Sequence, residues 1–127
     1  MNHVIIDTDM GRSLKLVNAM PANKVLFTAE LLVLSEKDTV KVNETDLKYY
    51  TFKYNDAQDC LVLGDGELFN HSDDPNVGYK LMDWAGNGRK VMVFYTLRHI
   101  TSGEELFIDY GADADVDVKS YTVNLVG

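Results

Sequence analysis

Asn70-His71-Ser72-Asp73-Asp74-Pro75-Asn76 and, later in the chain, Gly103-Glu104-Glu105-Leu106-Phe107-Ile108-Asp109-Tyr110-Gly111 are the two stretches on which the fold turns. Polar, turn-forming residues are normal between strands, because Asn, Asp, Ser and Pro each close the backbone locally. That accounts for residues 73–76. It does not account for Asn70-His71, because the apolar pair Leu68-Phe69 runs straight into them and points to partial burial. A buried Asn needs several hydrogen bonds, supplied either by backbone or by a polar ligand. The second stretch, taken alone, is a turn followed by a short strand, with Tyr110 a strand-end tyrosine. Glu104 and Glu105 are expected to point apart as a solvated pair.

Working outward, the chain is a succession of short β-like runs cut by turn residues, at 4–6, 14–17, 25–28, 31–34, 39–42, 49–54 and 60–63. Short segments rich in Val, Tyr, Phe and Thr are strand signals. A hairpin is expected where residues 79–83 and 90–97 flank Trp84-Ala85-Gly86-Asn87-Gly88-Arg89, since Asn-Gly supplies the positive φ of a tight turn. Residues 91–95 are apolar at every position, which predicts burial on both faces. No long stretch has helical periodicity, so helix should be scarce and in short pieces. One mostly-β domain over residues 1–127 is the expectation, without repeat or linker.

Composition narrows the function. The chain has 127 residues, 46% hydrophobic and 25% charged, as in a soluble globular domain. No apolar run approaches the length of a membrane span. Residues 1–10 hold Asp7 and Asp9 and do not resemble a secretory signal, so a cytoplasmic, non-secreted protein is expected. Twenty acidic against 12 basic residues give a net charge of −8, which disfavours nucleic acid and favours a basic partner. The lone Cys60, in an apolar run, reads as a buried small hydrophobe. His3, His71 and His99 lack ligand spacing, so no metal is expected. Neither Gly11-Arg12-Ser13 nor Gly64-Asp65-Gly66 is a nucleotide fingerprint, and no nucleophile elbow or catalytic triad is present.

Together and in this order, the two opening stretches resemble the signatures of the SET-domain family, N-H-S-x-x-P-N and G-E-E-L-x-x-D-Y-G, both intact here. Tyr50-Thr51-Phe52 is similar to the family's Y-x-F segment, and Leu63-Gly64-Asp65-Gly66-Glu67-Leu68-Phe69 to its approach to the Asn. The likeness covers residues 10–111 and is closest to short, stand-alone SET proteins of bacterial or viral type (for a viral protein, the host cell interior is the expected location).

The resemblance implies a SET fold: several small curved β-sheets, a knot-like crossing and few short helices. It implies an S-adenosyl-L-methionine-dependent protein-lysine N-methyltransferase acting on a basic, Lys/Arg-rich protein or peptide. By position, the Asn70 side chain and the His71 backbone would hold the cofactor. Gly11-Arg12-Ser13 stands where the family's G-x-G cradles the cofactor's methionine end, with Ser13 replacing the second glycine. A Cβ there would be strained at positive φ. Tyr110 would be the principal active-site tyrosine, also touching cofactor, and Tyr50 would join it in lining the lysine channel with Phe107 and Ile108. The aromatic nearest after Gly111 is Tyr121, so the tail, residues 112–127, or a second copy of the chain in a homodimer would complete the site. The alternative, motivated by Ser13, is a catalytically weak SET-fold module that binds a basic peptide or protein.

Methyl transfer needs a neutral amine, and lysine has a pKa of about 10.4 in water. An apolar channel lowers it, so neither a metal nor a dedicated base is obligatory. Ile108 stands where the resemblance places Phe or Tyr; without a hydroxyl to hold a water beside the amine, products beyond monomethyl-lysine are expected.

Overall fold

A computed structural model of the chain describes residues 1–83 and 89–111 and the strand Asp115–Val116. Three small sheets carry the architecture, as expected of a mostly-β SET fold. In the first, β1 (His3–Thr8) and β2 (Gly11–Leu16) form a hairpin, with Thr8 opposite Gly11 and His3 opposite Leu16. Gly11 closes the turn at φ +101°, a conformation that a side chain resists.

The second sheet contains β3 (Val25–Ala29), β8 (Val77–Asp83) and β9 (Lys90–Thr96), joined by β11 (Asp115–Val116), which runs parallel to β8. The third is β4 (Leu31–Val33), β6 (Asp59–Val62) and β5 (Thr51–Lys53). Two opening-motif segments finish the first sheet. β10 (Glu105–Ile108) pairs antiparallel with β2, and β7 (Asn70–His71) lies parallel to β10, with Phe107 opposite Asn70.

The core follows from strand alternation, which sends every second side chain inward. Leu14 and Leu16 of β2 and Leu106 and Ile108 of β10 are all 0–1% exposed. They meet Phe69 and Phe94, whose rings lie 4.9 Å apart. Each such side chain contributes about 1.5–3 kcal/mol by leaving water. β9 is buried at every position from Val91 to Thr96, as its continuous apolar run predicts. Cys60 is fully buried, and burial pushes its thiol up to about 12.

Two expected strands are not strands. Residues 39–42 belong to α1 (Glu36–Val42), whose start is capped by the Ser35 hydroxyl accepting from the Asp38 N–H at 3.0 Å. Glu36 and Asp38 in the first turn complement the helix dipole. Residues 49–54 divide into a 3-10 turn, Asp46–Tyr50, capped by Thr45, and the three-residue β5. In both places a capping side chain outweighs β-branched propensity, which is mostly a statement about packing. The expected turn at Asn87-Gly88 and the aromatic Tyr121 lie outside the described residues. No helix among the described residues is long and apolar enough to cross a membrane.

Candidate active site

The two opening stretches meet through their polar groups. Asn76, 2% exposed, accepts the Phe107 N–H at 2.8 Å and donates its amide to the Glu105 carbonyl at 2.9 Å. The Ser72 N–H donates to the Ile108 carbonyl at 3.0 Å, extending the β7–β10 pairing. The Tyr110 N–H then donates to His71 Nδ1 at 2.9 Å. With Nδ1 an acceptor, the His71 proton sits on Nε2 and is donated to Asp73 at 2.8 Å. His71 therefore acts through its side chain on Tyr110, a role the sequence reading did not assign. Asp109 adds a carboxylate to this group, so one donor atom from each of His71, Asp73 and Asp109 lies within 4.8 Å of the others.

Beside this junction lies a cavity of about 320 Å³, lined by Tyr50, Phe52, Glu67, Tyr79, Ile108 and Tyr110, with the exposed Lys48 and Lys53 at its edge. Tyr50 is brought there by the 3-10 turn, and Tyr110 by the end of β10. The Tyr110 hydroxyl donates to the Phe69 carbonyl, which leaves its oxygen lone pairs facing outward as acceptors. Burial, with Glu67 and Tyr50 nearby, raises the Tyr110 phenol above its ordinary value. Glu67 accepts the Val62 N–H at 2.8 Å, yet burial prevails and pushes its carboxyl up to about 7.

Of the three expected channel residues, Tyr50 and Ile108 line the cavity and Phe107 does not. Strand alternation is the reason, since Phe107 points to the opposite face from Leu106 and Ile108. Its part is the backbone N–H given to Asn76.

A second polar group surrounds Asn70, which is 8% exposed. Its amide donates to Glu105 Oε2 at 3.0 Å and to Thr8 Oγ1 at 3.3 Å. The Thr8 hydroxyl in turn donates to the Gly11 carbonyl at 2.7 Å, tying Asn70 to the β1–β2 turn. Glu105 is thus engaged rather than solvated, which corrects the reading of the Glu104–Glu105 pair. Glu104 does point away, held by Arg98 Nη2 at 3.1 Å. Arg12 is exposed, and its side chain forms no ion pair or hydrogen bond among the described residues. Ser13 is fully buried, and its Oγ has no partner among those residues. Asn23 alone among the described non-glycine residues has positive φ, so the strain expected of Ser13 does not arise.

The family model for the SET domain matches residues 11–111. The chain belongs to the SET-domain family. It is 33% identical over 109 residues to a Schizosaccharomyces pombe histone-lysine N-methyltransferase described as H3 lysine-37 specific, covering 84% of this chain and 71% of that one. It is 31% identical to the Drosophila virilis histone-lysine N-methyltransferase trithorax, over 79% of this chain and 3% of the relative. A rice histone-lysine N-methyltransferase, CLF, is 33% identical over 70% of this chain and 10% of its own length. These relatives are eukaryotic, so the expected kinship with bacterial or viral SET proteins gains no support. Among solved structures, the Cryptosporidium protein CpSET8 superposes with a TM-score of 0.69 at 23% identity, over 89% of this chain and 59% of that one. A Plasmodium falciparum protein described as a histone methyltransferase gives the same TM-score and identity over 87% and 93%. At that identity the likeness concerns the fold.

Sequence reasoning overlooked Thr8, Glu67 and the clamping role of Asn76. Thr8 and Glu67 fall outside the two signatures, and no local pattern ties a hairpin threonine to an asparagine 62 positions later.

Proposed function

We propose that this protein is an S-adenosyl-L-methionine-dependent protein-lysine N-methyltransferase acting on a basic protein, with histones the first substrates to test. The cavity carries the reading: it sits beside the junction of the two signatures and gathers Tyr50, Tyr110 and Ile108 around a space suited to an alkyl-amine side chain. The relatives' activity on histones and this chain's net charge of −8 both favour a basic partner.

The residues present fit the methyl donor. Among the described residues no group donates to the Asn70 amide oxygen or pairs with the Arg12 side chain, so the first can receive an ammonium group and the second a carboxylate, and the Gly11 turn has open space within 4 Å of where a Cβ would stand. When bound, S-adenosylmethionine supplies a methyl group on a positively charged sulfur. The protein's task is then positioning, which can provide most of such a rate. The Tyr110 oxygen accepts an N–H of the incoming amine and fixes the direction of its lone pair. Ile108 and Phe52 keep water from that amine and lower its proton affinity.

Core histones and labelled methyl donor should give labelled lysine. Tyr110→Phe should lower that transfer by about 100-fold or more, because orientation is lost, while the protein stays folded with a melting temperature lowered by the unpaired Phe69 carbonyl, a cost of about 1–3 kcal/mol. Full activity in this variant would remove Tyr110 from its role. Saturating methyl donor should stabilise the protein by about 2.7 kcal/mol at a hundred times its dissociation constant. No stabilisation at millimolar donor would favour the second reading, a peptide-binding module. That reading was motivated by Ser13 in place of a glycine, and of its two grounds, positive φ and close backbone approach, the first does not apply here.

A further inference from the structure

Glu67 ends the 3-10 turn Gly64–Glu67 and puts the only carboxylate into the lining of the cavity among the described residues. Its side chain makes one hydrogen bond, from the Val62 N–H, so one carboxyl oxygen is left for an incoming donor. The turn cannot shift easily, because a Cβ on Gly66 would come within 2.5 Å of Val62 and 2.9 Å of Phe94. The other ionisable cavity groups are Tyr49, Tyr50, Tyr79 and Tyr110, and two lysines at the edge, Lys48 and Lys53. An ammonium group passing those lysines meets a single anionic partner.

We propose that Glu67 receives the ammonium group of the target lysine inside the cavity and accepts its proton before methyl transfer. This rests on the methyltransferase reading above. In the step, one N–H bond of the ammonium breaks, its electron pair stays on nitrogen, and an O–H bond forms on Glu67. The freed lone pair is the nucleophile toward the sulfonium methyl donor, and the proton later leaves to water through the open side of the cavity. An ordinary glutamate, near 4.3, would leave the proton on a lysine of 10.4 by about six orders of magnitude. Glu67, held near 7 by burial, reduces that disadvantage to about three orders, and desolvation of the ammonium reduces it further. Tyr110, Tyr49, Tyr50, Tyr79, Cys60 of β6, Asp65 of the same turn, Lys48 and Lys53 are the other titratable groups around it. With Tyr110 raised and Cys60 at about 12, neither of these two titrates near neutrality.

The test uses the full chain with n-butylammonium, which copies the end of a lysine side chain, and no methyl donor. Carbon NMR of the labelled Glu67 carboxyl should show a midpoint at about 7. Excess n-butylammonium should lower that midpoint by about one unit, because an opposite charge favours the ionised form. A midpoint unmoved by n-butylammonium overturns the proposal whether or not histones are methylated. Glu67→Gln keeps an acceptor for the Val62 N–H. In histone assays it should lower kcat/KM by about 100-fold or more and move the rising limb of the pH profile from neutrality into the alkaline range. A variant that keeps the wild-type pH profile also overturns it. Wild-type protein that shifts the NMR midpoint yet methylates no histone supports an amine-binding Glu67 and counts against the substrate reading instead.

Discussion

Replacing Asn76 by Ala should separate the two signature segments. Asn76 is 2% exposed, and its amide satisfies two backbone groups of β10, the Phe107 N–H at 2.8 Å and the Glu105 carbonyl at 2.9 Å. Each group left unpaired in the interior costs about 1–3 kcal/mol. Phe107 and Glu105 are only half-buried, which places both costs toward the lower end. The sum is about 2–4 kcal/mol, a large part of the 5–15 kcal/mol typical of a domain. In urea, a slope of about 1.5 kcal/mol per molar converts this into a midpoint lowered by about 1.5–2.5 M. Asn76→Asp keeps the acceptor for Phe107 but turns a donor into a charge facing a carbonyl, and it should fare no better than Ala. Equilibrium urea unfolding followed by tryptophan fluorescence is the assay. A midpoint shift below about 0.3 M at unchanged slope would refute the reasoning, because it would mean that water replaces both bonds without loss.

Glu104 is held at about 2 by hydrogen bonds from Arg98 and from the Thr101 N–H and hydroxyl. Its folded pKa lies below the ordinary 4.5, so its stabilisation is complete above about pH 4.5 and lost as pH falls towards 2. Glu104→Gln should flatten the loss of stability across that window, measured as urea midpoint against pH; an unchanged slope would exclude it as a source of acid sensitivity. Gly78→Ala would bring a Cβ within 2.5 Å of the Tyr95 ring, and overpacking of this kind costs about 1–3 kcal/mol, visible as a lower melting temperature. Ile108, 1% exposed in the cavity wall, presents no hydroxyl to hold a water beside the amine. Long incubations should therefore yield di- or trimethyl-lysine by mass spectrometry, and a ladder that stops at monomethyl would count against the role given to Ile108.

The strands were legible where burial decides them. Residues 91–95 are apolar at every position, short and rich in β-branched and aromatic side chains, which favours a strand covered on both sides. The segments at 39–42 and 49–54 misled because Val, Tyr and Thr were weighed as strand formers, while Ser35 and Thr45, each four residues upstream, set helical turns by capping. The site was legible as far as its signatures reach. Tyr50, Asn70, His71, Ile108 and Tyr110 fall in or beside the cavity or the Asn70 network. Phe107 lies outside the cavity lining, and a motif names residues without saying which face of the strand each takes. Glu67 was passed over because a carboxylate in a Gly-Asp-Gly-Glu turn reads as solvated, and only tertiary burial makes it otherwise.

The two signatures also explain each other physically. Asn70 and Asn76 place polar groups where little water reaches, and these, with the half-buried His71, find partners on the segment from Glu105 to Tyr110. Conversely, β10 meets β2 through only two residue pairs, and its other edge is completed by Asn76 and β7. Either stretch alone would carry buried polar groups without partners, a cost of about 1–3 kcal/mol apiece. The same bonds that remove this cost set the position of Tyr110, whose N–H is held by His71 and whose hydroxyl is held by the Phe69 carbonyl. Asp109, just before it, has its carbonyl fixed by the Tyr79 hydroxyl at 3.1 Å. The bonds that stabilise β10 and those that position Tyr110 therefore belong to one network, and a change that loosens the clamp at Asn76 is expected to displace Tyr110, the tyrosine proposed above to orient the amine.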